Sequence, residues 1–133
     1  MILDTNILVH LIRKQLTPPQ DSFLTIITVG EIKSLSQQFD WGKSKIDILE
    51  DYISEFPILN ISYEMTDLYA YIDVYSQGKH KNLLLPKGIT ARNMGKNDLW
   101  IATIAMFYQE ELCTTDNDFE HLIQIGLKLK KSL

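Results

Sequence analysis

Four acidic side chains stand against apolar neighbours in this sequence. They are Asp4 in Ile2-Leu3-Asp4-Thr5-Asn6, Glu31 in Val29-Gly30-Glu31-Ile32, Asp98 in Asn97-Asp98-Leu99-Trp100 and Asp116 in Thr114-Thr115-Asp116-Asn117-Asp118. A carboxylate at the end of a buried strand is costly unless it is hydrogen-bonded, paired with a cation or open to a cleft. Should the four converge, each pair of like charges about 4 Å apart repels by roughly 4 kcal/mol at an effective dielectric of about 20, so the cluster calls for a cation. Carboxylate oxygens with water suit Mg²⁺ or Mn²⁺. An ion held this way can activate a water and stabilise charge on a phosphodiester, and two ions about 3.5 to 4 Å apart can serve both the attacking and the leaving oxygen. The chemistry expected is phosphodiester hydrolysis.

The elements that must position these acids follow from periodicity. Met1 to Leu3 reads as a short buried strand, and Ile7, Leu8, Leu11 and Ile12 recur at helical spacing until Thr17-Pro18-Pro19 ends the pattern. Phe23 to Thr28 reads as a second strand or extended segment, and a helix carrying Val29, Ile32, Leu35 and Ser36 follows, with Glu31 in its first turn or two. Lys43 to Phe56 is a helix stopped by Pro57, and Ile58 to Ile61 is a strand. Ser62 caps a helix bearing Leu68, Tyr71, Ile72 and Tyr75 that runs to Gly78, and residues 79 to 96 form a loop. From Asn97 the chain is almost continuously apolar to Phe107, the mark of a central helix buried nearly all round. Leu112 to Thr115 is a strand ending in Asp116, and Leu127 to Leu129 alternates like an edge strand. Strands alternating with helices predict a three-layer α/β/α domain with a short, mostly parallel sheet, and ligands of such sheets bind beyond the carboxyl ends of the strands. Asp4 and Asp116 fall at that end.

Asp4-Thr5-Asn6 after an apolar strand, Thr28-Val29-Gly30-Glu31-Ile32, Asn97-Asp98-Leu99-Trp100-Ile101-Ala102 and Thr115-Asp116-Asn117-Asp118-Phe119 resemble, in order and spacing, the motifs of PIN-domain ribonucleases. Among these the likeness is greatest to the VapC-type toxins of bacterial toxin–antitoxin pairs, and it spans nearly the whole chain. Each motif alone is weak; the ordered set is specific. The resemblance implies a metal-dependent endoribonuclease, a small antitoxin partner and a homodimer. It matches Asp4, Asp98 and Asp116 to direct metal ligands, Glu31 to a ligand acting through water, and Asp118 to a more variable fifth acid. Thr5, Asn6 and Thr115 become partners that orient the carboxylates or a metal-bound water.

Taken singly, each acid has a plainer explanation. Asp4 suits a helix N-cap, Asp98 the first turn of a helix, Glu31 a solvated helix face, and Asp116 to Asp118 a capped turn. Gly30 fits either a tight junction or close packing. Two rival functions remain open on a similar fold: a phosphoryl-accepting or phosphatase domain, and a non-catalytic RNA-binding module. The phosphoryl-transfer reading is weakened because no second acid adjoins Asp4.

The chain of 133 residues, 45% hydrophobic and 23% charged, fits a single domain over residues 1–133. A net charge of -4 argues against binding nucleic acid by bulk attraction, but not against a local basic patch. Lys79, His80, Lys81, Lys87, Arg92 and Lys96 supply one within residues 74 to 97, a stretch without any acid, which reads equally as a solvated loop or as a surface that tracks phosphates. Lys128, Lys130 and Lys131 read as protection of an edge strand. His10, His80 and His121 lack metal-ligand spacing, and the tyrosines and Trp41 read as packing residues before base-stacking ones. Cys113 is the only cysteine, which leaves neither a disulfide nor a thiolate metal site and suggests a reducing setting. No leader and no apolar run long enough to span a bilayer is apparent, so a cytoplasmic, unprocessed protein is expected.

Overall fold

A computed structural model describes residues 1–133. Its elements are β1 (Ile2–Leu3), α1 (Thr5–Lys14), β2 (Leu24–Thr25), α2 (Ile26–Gln38), α3 (Lys43–Ser54), β3 (Ile58–Leu59), α4 (Thr66–Ser76), α5 (Lys96–Phe107), β4 (Leu112–Cys113) and β5 (Leu129–Lys130), with 3₁₀ segments at Tyr63–Met65 and Asn117–Ile125. β1 pairs with β4 and β4 with β5, while β2 pairs with β3, all parallel. A parallel bridge between Ile2 and Phe23 joins the two sets into the order β3-β2-β1-β4-β5. All carboxyl ends of the strands therefore lie along one edge.

The sheet is covered on both faces because neighbouring strand residues point in opposite directions. Ile2 and Leu112 join Met65, Ile72, Tyr75, Leu99 and Phe119 in one core, beneath α4, α5 and the second 3₁₀ segment. Leu3 and Cys113 join Ile7, Leu8, Leu11, Ile32 and Leu49 in the other, beneath α1, α2 and α3. This is the three-layer α/β/α arrangement expected. α5 buries Leu99 and every residue from Ile101 to Ala105, as its continuous apolar run predicts.

Several boundaries depart from the sequence reading. The strand read over Phe23 to Thr28 stops at Thr25, because the Thr25 hydroxyl accepts from the Thr28 amide and caps a helix that starts at Ile26. Gly30 consequently sits inside α2, and a Cβ there would meet nothing within 4 Å, so neither a tight junction nor close packing accounts for it. Tyr63–Met65 forms a single 3₁₀ turn ahead of α4 rather than its first turn. The edge strand lies at Leu129–Lys130, since Leu127 instead packs into the core. The 3₁₀ segment at Asn117–Ile125 is absent from the sequence reading, although Phe119, Leu122 and Ile125 follow the three-residue period of that helix and face the core. No helix is long and apolar enough to cross a membrane.

Candidate metal centre

Asp4 leaves β1 as the N-cap of α1. Its Oδ1 accepts from the Thr5 amide at 2.8 Å and its Oδ2 from the Thr114 hydroxyl at 2.6 Å. Asp4 as a residue is only 5% exposed, and burial pushes its pKa up, against those two hydrogen bonds and with the charges of Glu31 and Asp116. The Thr114 hydroxyl has one proton, given to Asp4, so it accepts from the Asp116 backbone amide at 3.0 Å and the Asn6 side-chain Nδ2 at 3.4 Å. β1 and β4 are adjacent, and this one hydroxyl ties the acids at their two ends together.

Glu31, in the second turn of α2, is held from both sides. Its Oε1 accepts from the Thr5 hydroxyl at 2.7 Å and its Oε2 from the Asn97 side-chain amide at 3.4 Å. Asp116 caps the second 3₁₀ segment, its Oδ1 accepting from the Asp118 amide at 2.8 Å. Asp98 lies in the first turn of α5. Its pKa is pushed up to about 6, first by burial and then by the charges of Asp4, Asp116, Glu31 and Asp118, and no hydrogen bond offsets the shift. It is the least satisfied acid of the group.

Asp4, Glu31, Asp98 and Asp116 line one cleft of about 410 Å³ together with Thr5 and Asn6. One carboxylate oxygen from each of Asp98, Asp116 and Asp118 lies within 4.8 Å of the other two. The tightest trio thus contains Asp118, read from the sequence as a fifth acid, whereas Asp4 stands beside it with both oxygens already hydrogen-bonded. Hard oxygen donors, mutual repulsion that lifts Asp98, and an Asp98 carboxylate without a protein donor fit a divalent cation. Thr5 and Asn6 bond to Glu31 and Thr114 respectively, while Thr115 contributes only its amide, to Asn6 Oδ1 at 3.5 Å.

Solved structures share this architecture. The chain covers 97% of itself and 96% of a chain in VapBC2 from Rickettsia felis bound to a promoter DNA fragment, at 20% identity and a TM-score of 0.71. It matches DNA-bound VapBC from Salmonella typhimurium at 17% identity and a TM-score of 0.69, covering 97% of this chain and 95% of that one. A chain of FitAcB from Neisseria gonorrhoeae matches at 19% identity and a TM-score of 0.68, with 96% and 94% covered. The fold is that of PIN-domain VapC toxins. No protein-family model and no curated protein matches the chain. At these identities the PIN fold is what the likeness establishes.

The basic segment meets the centre at one residue. Arg92 Nη1 reaches Asp118 Oδ1 at 3.5 Å. Its backbone is fixed by Ser76, whose carbonyl accepts from the Arg92 amide at 2.8 Å and whose hydroxyl donates to the Arg92 carbonyl at 3.1 Å. The Ser76 oxygen then accepts from His121 Nε2 at 2.8 Å, which leaves buried Nδ1 without a partner. Burial and the Arg92 charge lower the His121 pKa to about 4. Lys79, Lys81, Lys87 and Lys96 are exposed and make no ion pair. The sequence reading gave Lys131 only to edge protection, whereas its ammonium donates to the Asp116 carbonyl at 3.0 Å and pairs with Glu120 at 3.2 Å. That reading missed the Ser76–His121 pair; 45 residues of separation offered no local signal.

Proposed function

We propose that this chain is a metal-dependent endoribonuclease and the toxin component of a type II toxin–antitoxin pair. The observation that carries this reading is the meeting of Asp98, Asp116 and Asp118 oxygens within 4.8 Å, at the sheet edge where Asp4 and Glu31 also lie. Mg²⁺ or Mn²⁺ held there would activate a water and offset the charge that grows on a phosphodiester during hydrolysis. Asp98, Asp116 and Asp118 are the carboxylates nearest one another, and Asp98 is the one with no protein donor to displace. Asp4 keeps the negative field of the cleft fixed, since the Thr5 amide and Thr114 hydroxyl lock its rotamer. Glu31, anchored by Thr5 and Asn97, is placed to orient a water through its remaining lone pairs.

Lys79, Lys81, Lys87, Arg92 and Lys96 supply phosphate contacts in this reading, with Arg92 the nearest to the acids. The similar chains come from VapBC structures, one of them described as a toxin–antitoxin system, which supports a small antitoxin as partner of this chain; the homodimer is proposed from the motif resemblance alone. A phosphoryl-accepting role suits Asp4 poorly, because a nucleophile needs a free oxygen and Asp4 is 5% exposed with both engaged.

The test is incubation of the purified protein with transfer and ribosomal RNA, with and without Mn²⁺, beside a folded Asp98→Asn variant. Cation-dependent cleavage is expected from the wild type and a loss of at least about a hundredfold from the variant. Undiminished cleavage by Asp98→Asn, or equal cleavage in a chelator, would refute the assignment.

A further inference from the structure

The acidic cleft does not end at the acids. Val9, Arg13 and Leu35 on its far wall also line a second hollow of about 320 Å³ that continues to Phe39, Trp41 and Lys45. The two hollows are successive stretches of one groove between α1 and α2, closed at its outer end by the start of α3. From Asn6 to Arg13 the floor follows α1 for seven residues, about 10 Å at 1.5 Å per residue, the reach of a couple of nucleotides.

The chemistry of the groove changes sign along its length. The inner end is anionic. The outer end carries two cations: Arg13, exposed in the last turn of α1 and outside every ion pair of the molecule, and Lys45, whose ammonium lies 3.9 Å above the Trp41 ring. Phe39 is 71% exposed, an unfavourable setting for a phenyl ring. The backbone holds it there. Asp40 adopts φ 49, its amide bonds to the Gln37 carbonyl and the Trp41 amide to the Ser36 carbonyl at 2.9 Å, so α2 ends in a fixed turn that presents both rings to the groove.

A cation track with aromatic rings beside it is how proteins hold single-stranded nucleic acid, with phosphates on the cations and bases on the rings. The other hollow adjoining the acids, between α2 and the start of α5, is lined by Gly30, Ser34, Gln38 and Asn97 and holds no cation. We infer that the α1/α2 groove seats the RNA strand on one side of the cleavage point, Arg13 contacting a backbone phosphate and the Phe39–Trp41 platform stacking a base beyond it. This rests on the ribonuclease reading above.

The experiment titrates a short oligouridylate into the full chain in the absence of divalent cations, following tryptophan fluorescence. It compares wild type with Phe39→Ala, Trp41→Phe and Arg13→Gln, and cleavage kinetics in Mn²⁺ follow. Phe39→Ala is expected to weaken binding about tenfold and to raise KM with little change in kcat. Trp41→Phe is expected to abolish quenching, since the remaining Trp100 lies on α5. Arg13→Gln should lower the slope of log affinity against log salt by about 0.7. Unchanged oligouridylate affinity, salt slope and KM in all three variants, with cleavage intact, would overturn the groove assignment and leave the nuclease reading standing. Loss of binding to a polypeptide partner in Phe39→Ala, with RNA binding unaltered, would equally overturn it by making the groove a protein interface. A wild type that neither binds nor cleaves RNA would remove both.

Discussion

Asp98 carries the cost of the site. Without a cation, burial and four neighbouring acids raise its pKa from 3.8 to about 6, so at pH 7 it is charged at a cost. Replacement by Asn removes that repulsion, so the cation-free Asp98→Asn protein should be more stable than wild type at pH 7. At about 1.4 kcal/mol per pKa unit, and discounted for partial exposure, the gain should be about 1 to 2 kcal/mol in urea denaturation. A variant that is less stable and also inactive would mean Asp98 serves the fold. Thr114 is the opposite case. Thr114→Val keeps the shape but strips the donor from Asp4 Oδ2 and the acceptor from the Asp116 amide, and a loss of about 1 to 3 kcal/mol is expected by the same measurement.

Elements place these residues by where they start and stop. α1, α2 and the second 3₁₀ segment each begin at a strand's carboxyl end with a side-chain cap: Asp4, Thr25 and Asp116. Thr25→Ala should cost about 1 kcal/mol and fray the first turn of α2. Hydrogen exchange should show the loosening at Thr28 to Glu31, and a change confined to the far end of α2 would count against it. β5 is the sheet's edge, as its lysines suggest, yet Lys131 also braces the segment that carries Asp116 and Asp118.

Across the whole molecule, two groups titrate against each other. His121 protonates at 6.5 when unfolded but only at about 4 in the fold, so the unfolded chain takes up a proton that the folded chain refuses. Its contribution to stability is full above 6.5 and is lost as pH falls toward 4. Asp98 runs the other way: its penalty is full above about 6 and disappears as pH falls toward 3.8. Asp4, its pKa also raised by burial, acts in the same direction as Asp98, so between pH 6.5 and 4 the Asp98→Asn protein should lose more stability than wild type on acidification, with only Asp4 left to oppose His121. Equal slopes in the two proteins would contradict the pairing. Bound cation couples to the same proton. Mn²⁺ at about 100 times its Kd should add about 2.7 kcal/mol at pH 7, and its affinity should fall as pH drops through 6. Calorimetric titration at successive pH values measures this, and a pH-independent affinity would argue that Asp98 is not a ligand.

Element types and order were legible in the sequence because apolar periodicity directly reports which face each segment buries. Ile7, Leu8, Leu11 and Ile12 mark α1, the unbroken apolar run marks α5, and alternating strands and helices dictate a parallel sheet whose carboxyl ends share an edge. That topology carried Asp4, Glu31, Asp98 and Asp116 toward one place before any distance was known. What only the tertiary structure decided is which oxygens approach closest, that Thr114 and not Thr115 lends its hydroxyl to Asp4, and that Arg13 and Trp41 border the same groove as the acids. The reason is physical. Burial patterns are written locally in the chain, whereas hydrogen-bond partners and charge proximity depend on distances between segments a hundred residues apart, which close packing alone sets.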